Sequence, residues 1–316
     1  MIAIRCLREQ QLELIRPLFE RVFGESVSSG VLRWKYAAQR GESWGGWDGD
    51  ALLIHCGLFF RDVLWQEEVA RAAQLVDLMA APKVAGLSRN GSPFTLLMQT
   101  LLTRLPRRDN PKGVAFGFPS ARAMRLGELN GVYRSVGHWM ALDFVATRCS
   151  WAAQAILLDG LSGPDVARLG LAWAGMRRDF SAHALGVRDA AFVQWRYLAH
   201  PTRRYRLLSI VSRWRRSTVG FVVLGPGDEV CEIVDLIGHW DAFPELLQAT
   251  QHWWWSRGGR ELVLMATAPF AQQLAPFAKR CRETEFRIMA NPLMTPEALM
   301  RLQDQWWLTG GDTDYR

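Results

Sequence analysis

A loop with two glycines joins an apolar segment to an amphipathic helix in the stretch "QLVDLMAAPKVAGLSRNGSPFTLLMQTLL". Gly86 and Gly91 allow a ligand to approach the backbone closely, and Lys83 and Arg89 add positive charge. The helix that follows, with Ser92 at its cap, supplies free N–H groups and a partial positive charge. Together these features favour a binding site for a pyrophosphate group. Taken alone, the loop is a weak signal, and an ordinary strand–turn–helix connection is the better explanation.

Asp77 is the acidic residue on the segment before this loop, where it is placed to accept a proton directly or through a water molecule. Asp235 occupies the corresponding position in the second half of the chain, where no pair of glycines follows. An acid that recurs in both halves commonly holds a turn or a neighbouring strand. Asp77 therefore has two interpretations, as a catalytic base and as a structural residue. For His55 and His138, single histidines beside apolar segments, packing or hydrogen bonding is a simpler interpretation than a role as a base.

Two similar aromatic motifs, "LRWKYAAQ" and "FVQWRYLAHP", occur one in each half of the chain. They contain Trp34 with Tyr36, and Trp195 with Tyr197. Aromatic faces suit sugar rings, so these four side chains are candidates for lining an acceptor cleft. Their helical spacing is also typical of core packing, and the pattern leaves both interpretations open.

The elements around these motifs follow the same order in both halves. "STVGFVVLG" matches "ALLIHCGLFF", "EIVDLIGHW" matches "QLVDLMAAP", and "ELVLMAT" matches "GVAFGFP". A near-constant offset over several elements indicates a tandem duplication of one unit built of strands and helices. We therefore predict an α+β chain with two units, residues 1–150 and 151–316.

The composition limits the class of protein. A hydrophobic fraction of 49% in 316 residues is enough for packed domains, and it makes extensive disorder improbable. The net charge of +7 is compatible with an anionic partner, but the basic residues are scattered in pairs and no nucleic-acid-binding motif accompanies them.

The five cysteines form no zinc-binding or disulfide pattern, so we predict no metal. Without an apolar leader or an 18-residue apolar run, we predict a cytoplasmic protein with no transmembrane segment. The oligomeric state stays open, a homodimer included.

The order strand, proline, glycine loop, helix, strand, helix, glycine and strand resembles the GNAT (GCN5-related N-acetyltransferase) superfamily. "VAFGFPSARAMRLGELNGVYRSVG" is similar to the strand and helix after the family's loop. The similarity extends to the "WRY.AHP" helix and to "WWLTGGDTDYR", as in the two-unit GNAT-like proteins often met with bacterial surface-polysaccharide biosynthesis. The resemblance implies two tandem units, each with a mixed, mostly antiparallel central sheet flanked by helices. It also implies direct acyl transfer, in a ternary complex, from acetyl-CoA or another acyl-CoA to the amine of an amino sugar or small molecule.

The resemblance also implies a location for the co-substrate. The thioester and the pantetheine would lie along Val76–Ala81, where backbone N–H groups polarise the carbonyl, and the pyrophosphate would lie on the loop. The cofactor-binding residues that it implies are Leu78, Met79, Ala80, Gly86, Arg89, Asn90, Gly91 and Ser92.

The sequence departs from the family pattern in three places. The loop "KVAGLSRNG" is longer than the usual Q/R-x-x-G-x-G/A, and Gly127 stands where many members have a tyrosine that protonates the thiolate. Tyr133 lies just past that helix and is not assigned this role. The second half has "GHWDAFPELL" at the loop position, so only the first unit is expected to bind CoA. Two alternatives remain: an acyl-ACP or aminoacyl-tRNA donor, and an inactive binding or scaffold protein.

Overall fold

The computed structural model describes residues 2–65, 68–82, 84, 91–148 and 152–314 of the chain. Its strands are numbered in chain order: β1 Ala3–Leu7, β2 Gly41–Asp48, β3 Ala51–Trp65, β4 Glu68–Ala80, β5 Ala115–Gly117, β6 Arg134–Val145, β7 Ala153–Leu158, β8 Ala184–Gly186, β9 Arg206–Ser212, β10 Thr218–Leu224, β11 Val230–Gly238, β12 Glu261–Thr267, β13 Arg280–Ala290 and β14 Trp306–Trp307.

The helices begin and end largely where local signals predict. They are α1 Arg16–Phe23, α2 Ser29–Tyr36, α3 Pro93–Arg104, α4 Ala121–Leu129, α5 Gly163–Asp179, α6 Ala190–Val193, α7 Phe243–Trp255, α8 Ala268–Leu274 and α9 Pro296–Leu302. Short 3-10 turns cover Glu9–Ile15, Trp240–Ala242, Ala275–Phe277 and Gly310–Asp312, and a π-helical turn covers Gln194–Leu198. Gly24 ends α1 in the left-handed conformation, with φ 74°, as its position after an apolar helix predicts.

The first of two compact units consists of the described residues of Met1–Val63, Val69–Val136 and Phe286–Gln303. Its strands lie in the order β1–β2–β3–β4–β5, followed by the end of β13. β1 with β2, β2 with β3, and β5 with β13 are antiparallel, whereas β4 and β5 are parallel. α3 packs apolar residues such as Leu97 and Leu101 into the core of this unit.

The second unit consists of the described residues of Leu64–Glu68, Gly137–Glu285 and Asp304–Arg316. Its strands lie in the order β6–β12–β11–β10–β9–β7, and β14 pairs with β8. β12 and β11 are parallel, as are β14 and β8, whereas the other pairs in this order are antiparallel. α5 packs on β10 and β11, and α7 packs on β7, β9 and β10. The predicted α+β class with mixed, mostly antiparallel sheets is confirmed.

Neither compact unit is contiguous in sequence, and the division of the repeats into residues 1–150 and 151–316 stays a prediction. The strand β13 begins in the second unit and ends in the first, where Met289 and Ala290 pair with β5. The division therefore depends on strand pairing between residues distant in sequence, which the internal repeat does not specify.

Candidate functional site

In the first unit, the parallel strands β4 and β5 separate soon after they begin to pair. The described pairing consists of Ala73 with Ala115 and Gln74 with Phe116. β4 continues to Ala80, whereas β5 ends one residue after its last pair. A gap therefore opens beside the final part of β4, where an extended ligand can lie along the strand backbone.

Three predicted binding residues, Leu78, Met79 and Ala80, form the end of β4 beside this gap. Met79 is buried, and Leu78 and Ala80 pack against the core of the first unit. Their side chains therefore stabilise the fold, and a ligand lying along β4 would contact their backbone groups. The contact itself stays a prediction.

The predicted pyrophosphate loop is described only at its end. Gly86, Arg89 and Asn90 lie outside the described residues, as does Lys83. Gly91 has φ 87°, a left-handed conformation that favours glycine, and a Cβ atom there would meet no atom of the described residues within 4 Å. No described residue therefore blocks a ligand from the backbone at this position.

Ser92 caps α3, as the sequence predicts. Its Oγ accepts a hydrogen bond from the backbone N–H of Thr95 at 3.1 Å and also lies 2.9 Å from the Thr95 hydroxyl. Thr95 in turn donates to the side-chain oxygen of Asn130, 3.2 Å away, just after α4. The hydroxyl of Ser92 is therefore used in the fold. The N-terminus of α3, which carries a partial positive charge, directly follows the glycine loop.

The side chain of Asp77 is buried, and both of its carboxylate oxygens accept hydrogen bonds. Lys35 Nζ lies 2.7 Å from Oδ1, and the Tyr36 hydroxyl donates to Oδ2 at 2.5 Å. Burial raises the pKa of Asp77, but the Lys35 ammonium and these hydrogen bonds outweigh it, so the pKa lies below its usual value. A carboxylate with a lowered pKa and no free oxygen is a weak proton acceptor, which favours the structural interpretation. The contacts attach α2 to β4.

His55 continues this buried cluster. Its Nδ1 lies 2.8 Å from the backbone carbonyl oxygen of Asp77, and its Nε2 lies 2.9 Å from the Ser43 hydroxyl. Burial lowers the pKa of His55, so the ring is neutral near pH 7 and Nδ1–H donates to that carbonyl. These bonds hold Asp77 at φ 46°, a conformation that residues other than glycine rarely adopt. The packing role expected for His55 agrees with this geometry.

The second unit repeats the contact between tyrosine and aspartate. The Tyr197 hydroxyl donates to Oδ2 of Asp235 at 2.7 Å, just as Tyr36 donates to Asp77. The other partners differ, because Asp235 also faces Arg188 Nε at 3.3 Å and accepts from the Thr309 hydroxyl at 3.1 Å. Burial raises the pKa of Asp235, and Arg188 opposes the rise. The recurring motif is therefore explained by a recurring buried hydrogen bond.

The four aromatic residues predicted to bind the acceptor differ in burial, because the two tyrosines are buried and the two tryptophans are half-buried. Tyr36 and Tyr197 are buried and use their hydroxyls within the protein. Trp34 and Trp195 are half-buried, and each packs on a phenylalanine of its own unit at ring distances of 5.3 and 6.1 Å. An acceptor role for these residues stays a prediction, and it now depends on the two tryptophans.

In the second unit, the parallel strands β11 and β12 also separate, and the segment 306–313 lies between them. The described pairing ends at Ile233 with Leu264. Beyond it, Ala266 bridges to Thr309 and the Thr267 N–H donates to the carbonyl of residue 308. On the opposite side, a Cβ atom at Gly311 would lie 2.9 Å from the Asp235 carboxylate. The space between the two parallel strands is therefore occupied by protein in the second unit, whereas in the first unit no described strand pairs with the corresponding part of β4 on the side of β5.

A turn at residues 309–312, to which the sequence analysis assigns no role, places protein between β11 and β12. The backbone N–H of Thr309 donates to Asp312 at 2.8 Å, and the Thr309 hydroxyl accepts from Gly311 N–H at 3.3 Å. Asp312 also forms a buried ion pair with Arg188. The available signal was the "TGGD" sequence, which combines a capping box with two small residues.

Tyr133 occupies the space left by Gly127. A Cβ atom at Gly127 would lie 2.0 Å from the Tyr133 ring. Burial raises the pKa of Tyr133, and Cys56 raises it further. The phenol is therefore part of the first unit's core, which agrees with leaving it without a catalytic assignment.

The described residues contain no group of three or more His, Cys, Asp or Glu side chains arranged to hold a metal ion. Across the same residues, no helix is long and apolar enough to cross a membrane.

Comparisons with known proteins agree with this geometry. Residues 3–139 match the sequence profile of a family described as an acetyltransferase (GNAT) domain. No curated protein sequence matches the chain significantly. The association with polysaccharide biosynthesis has no support in these comparisons.

Solved structures share the fold over most of the chain. A probable N-acyltransferase from Enterococcus faecalis V583 aligns with TM-score 0.69 and 11% identity, over 92% of this chain and 72% of its own. A tandem GNAT protein from the clavulanic acid biosynthesis pathway aligns with TM-score 0.59 and 9% identity, over 93% and 100%. The N-myristoyltransferase of Saccharomyces cerevisiae, solved with myristoyl-CoA and inhibitors, aligns with TM-score 0.58 and 7% identity, over 92% and 80%.

Proposed function

We propose that this chain transfers an acyl group from an acyl-CoA to a primary amine, because residues 3–139 match an acetyltransferase (GNAT) domain and the chain shares its fold with a solved tandem GNAT protein. The observation that carries the proposal is the gap beside the end of β4, followed within the first unit by the open backbone at Gly91 and the N-terminus of α3. An extended thioester arm and a pyrophosphate need these two features in this order.

The residues of β4 and α3 have separate tasks in this reaction. Backbone N–H groups of Leu78 and Met79 would polarise the thioester carbonyl, and the loop ending at Gly91 would hold the pyrophosphate with Arg89. The amine nitrogen then attacks the carbonyl carbon, the C–S bond breaks, and the sulfur leaves as a thiolate that takes up a proton. Since the carboxylate of Asp77 is engaged by Lys35, we expect the amine to lose its proton through solvent.

We expect one co-substrate for each chain. The first unit keeps the gap beside β4, whereas Thr309 and Gly311 occupy the corresponding space in the second unit. The second unit also lacks the glycine pair of the loop. Its proposed contribution is structure and acceptor surface, with Trp195 as the candidate aromatic.

The donor and acceptor are proposed as classes. Acetyl-CoA is the first donor to test, and longer acyl-CoAs belong in the same screen. An amino sugar or a small amine is the proposed acceptor, and the cytoplasm, where acyl-CoA is made, is the proposed location. The oligomeric state stays open, and a sedimentation measurement decides whether the chain forms a homodimer.

Calorimetric titration with acetyl-CoA tests the proposal most directly. We expect micromolar binding with a stoichiometry near one per chain, weakened by Arg89→Ala, which removes a phosphate partner. Gly91→Val should weaken binding as well, because valine is strained at φ 87° and its side chain fills the open space.

Two matched variants separate these effects from general damage. Gly258 has φ 81° and no described atom within 4 Å of a Cβ, so Gly258→Val imposes the same strain just after α7, in the second unit. Arg215→Ala removes an exposed guanidinium from the second unit. Both should bind acetyl-CoA normally. If wild-type protein binds neither acetyl-CoA nor longer acyl-CoAs, the proposal is wrong, and a carrier-linked donor or a binding protein becomes the better hypothesis.

A further inference from the structure

The second unit has a cavity of about 550 Å³ near the C-terminal end of α5. Leu171 lines it from α5, Phe180 and Leu185 from the segment after the helix, and Leu64 from the end of β3. This volume lies within the range of roughly 300–1,000 Å³ that is usual for small-molecule sites. The apolar lining suits a compact hydrocarbon group.

Two arginines line this cavity and have no anionic partner in the part of the chain that the structure describes. Arg177 and Arg178 both line it, and both are exposed. Among the described residues, neither forms an ion pair, and the adjacent Asp179 is bonded to His239 and to the backbone N–H of Trp240. Cations in the last turn of a helix also interact favourably with its dipole, which explains their presence in part. That interaction leaves both guanidinium groups free to bind an oxyanion through paired hydrogen bonds.

His183 adds a polar group to the same cavity. Its Nδ1 is buried and has no hydrogen-bond partner among the described residues. The ring packs against Phe180 and Phe270 at 5.9 and 5.2 Å. Burial lowers its pKa, so the ring is neutral near pH 7 and does not repel the neighbouring arginines. A buried nitrogen without a partner is unfavourable, and a bound ligand would satisfy it.

From the apolar lining, the two unpaired arginines and the unsatisfied imidazole nitrogen, we infer that this cavity binds a small molecule with an oxyanion on a short apolar body. The oxyanion would contact Arg177 and Arg178, and the hydrocarbon would pack on Leu171 and Phe180. This site belongs to the second unit and is separate from the gap beside β4. The head group is a carboxylate or a phosphate monoester, since a guanidinium binds both in the same way.

Calorimetric titration of the full chain with octanoate, below its micellar concentration, and with octyl phosphate tests the inference. At least one should bind, and the one that binds identifies the head group. Octan-1-ol lacks the charge and acetate lacks the apolar body, so each should bind at least about tenfold more weakly. Arg177→Gln and Arg178→Gln should each weaken binding about tenfold or more, because each removes a charge-assisted contact.

A cavity-filling variant and a control complete the experiment. Ala174 is exposed and lines the cavity, so Ala174→Phe should abolish binding while leaving the charges and the thermal unfolding midpoint unchanged. Arg215→Gln removes an exposed guanidinium outside the cavity and should bind like wild type. Failure of both charged probes to bind, or equal binding of octan-1-ol, would overturn the inference, as would normal binding by both arginine variants. Acetyl-CoA affinity should not change in any of these variants, so the result is independent of the proposed acyl transfer.

Discussion

Replacing Asp77 with asparagine distinguishes its two interpretations. The substitution leaves the Lys35 ammonium, whose side chain is 6% exposed, without the carboxylate that lies 2.7 Å from it. Removing one partner of a buried ion pair costs about 3–5 kcal/mol, because the remaining charge stays desolvated. An asparagine oxygen still accepts from the Tyr36 hydroxyl, so we expect a loss near the lower end, about 3 kcal/mol.

Urea unfolding followed by tryptophan fluorescence measures this loss. The double variant Lys35→Met, Asp77→Asn also removes the buried ammonium, and it should recover roughly 1–2 kcal/mol of the lost unfolding free energy. The pH dependence supplies a second check. Because the folded pKa of Asp77 is lowered, its contribution is complete above the unfolded value near 4 and is lost as the pH falls through the folded pKa.

A normal unfolding transition combined with loss of acyl transfer would refute the structural interpretation of Asp77. That result would mean that the buried pair with Lys35 contributes little and that the carboxylate acts in catalysis. The structural interpretation requires the opposite, a lower unfolding midpoint with transfer retained by the fraction of Asp77→Asn that stays folded.

Three further predictions concern the fold. Gly311→Ala should lower the thermal unfolding midpoint, because its Cβ would lie 2.1 Å from the Tyr197 hydroxyl. Adding Tyr197→Phe to this variant should recover part of the loss. Full additivity of the two changes would contradict the contact. The pKa of His55 is lowered in the folded protein, so its contribution to stability is complete above about pH 6.5 and is lost as the pH falls below that value. In His55→Asn, the urea unfolding midpoint should therefore change less between pH 7 and pH 5 than it does in wild type. An equal change of the midpoint in both proteins would contradict this reasoning. Gly127→Ala should cost about 1–3 kcal/mol in urea unfolding by overpacking, whereas Gly170→Ala, with open space around it on α5, should stabilise the protein slightly; equal effects of the two would contradict the packing argument.

Local signals in the sequence were sufficient for the helix boundaries. Ser92 before Pro93 predicts the start of α3, and Gly24 predicts the end of α1, because caps and left-handed glycines act within one turn of the chain. The sequence of β2, "GESWGGWD", does not predict a strand, because it is rich in glycine, which is depleted in strands. Its glycines leave room for neighbouring side chains, since a Cβ atom at Gly45 or Gly46 would lie 2.4 Å from one. That requirement arises from β3 and is invisible in β2 alone.

The candidate site was predictable as a position and not as a set of contacts. The recurrence of tyrosine and aspartate in both halves was visible, but the bond from Tyr36 to Asp77 joins residues that are 41 positions apart and needs the fold to form. The tyrosine and the aspartate both repeat at nearly the same offset, and this shared offset indicates that the two residues form a pair in each half. No repeat indicates that Thr309 and Gly311 lie between β11 and β12, because their segment has no counterpart in the first half.

The path of β13 determines the order in which this protein can reach its native state during synthesis. When residues 3–139 have left the ribosome, the edge of β5 is still unpaired, because Met289 and Ala290 have not been made. At usual elongation rates, the intervening stretch of about 150 residues takes roughly 8–30 s, during which a nascent strand edge is available for wrong pairing. The first unit thus finishes folding only after most of the second has been translated. A fragment cut at the boundaries of the matched domain would keep that edge open permanently, and we expect it to aggregate.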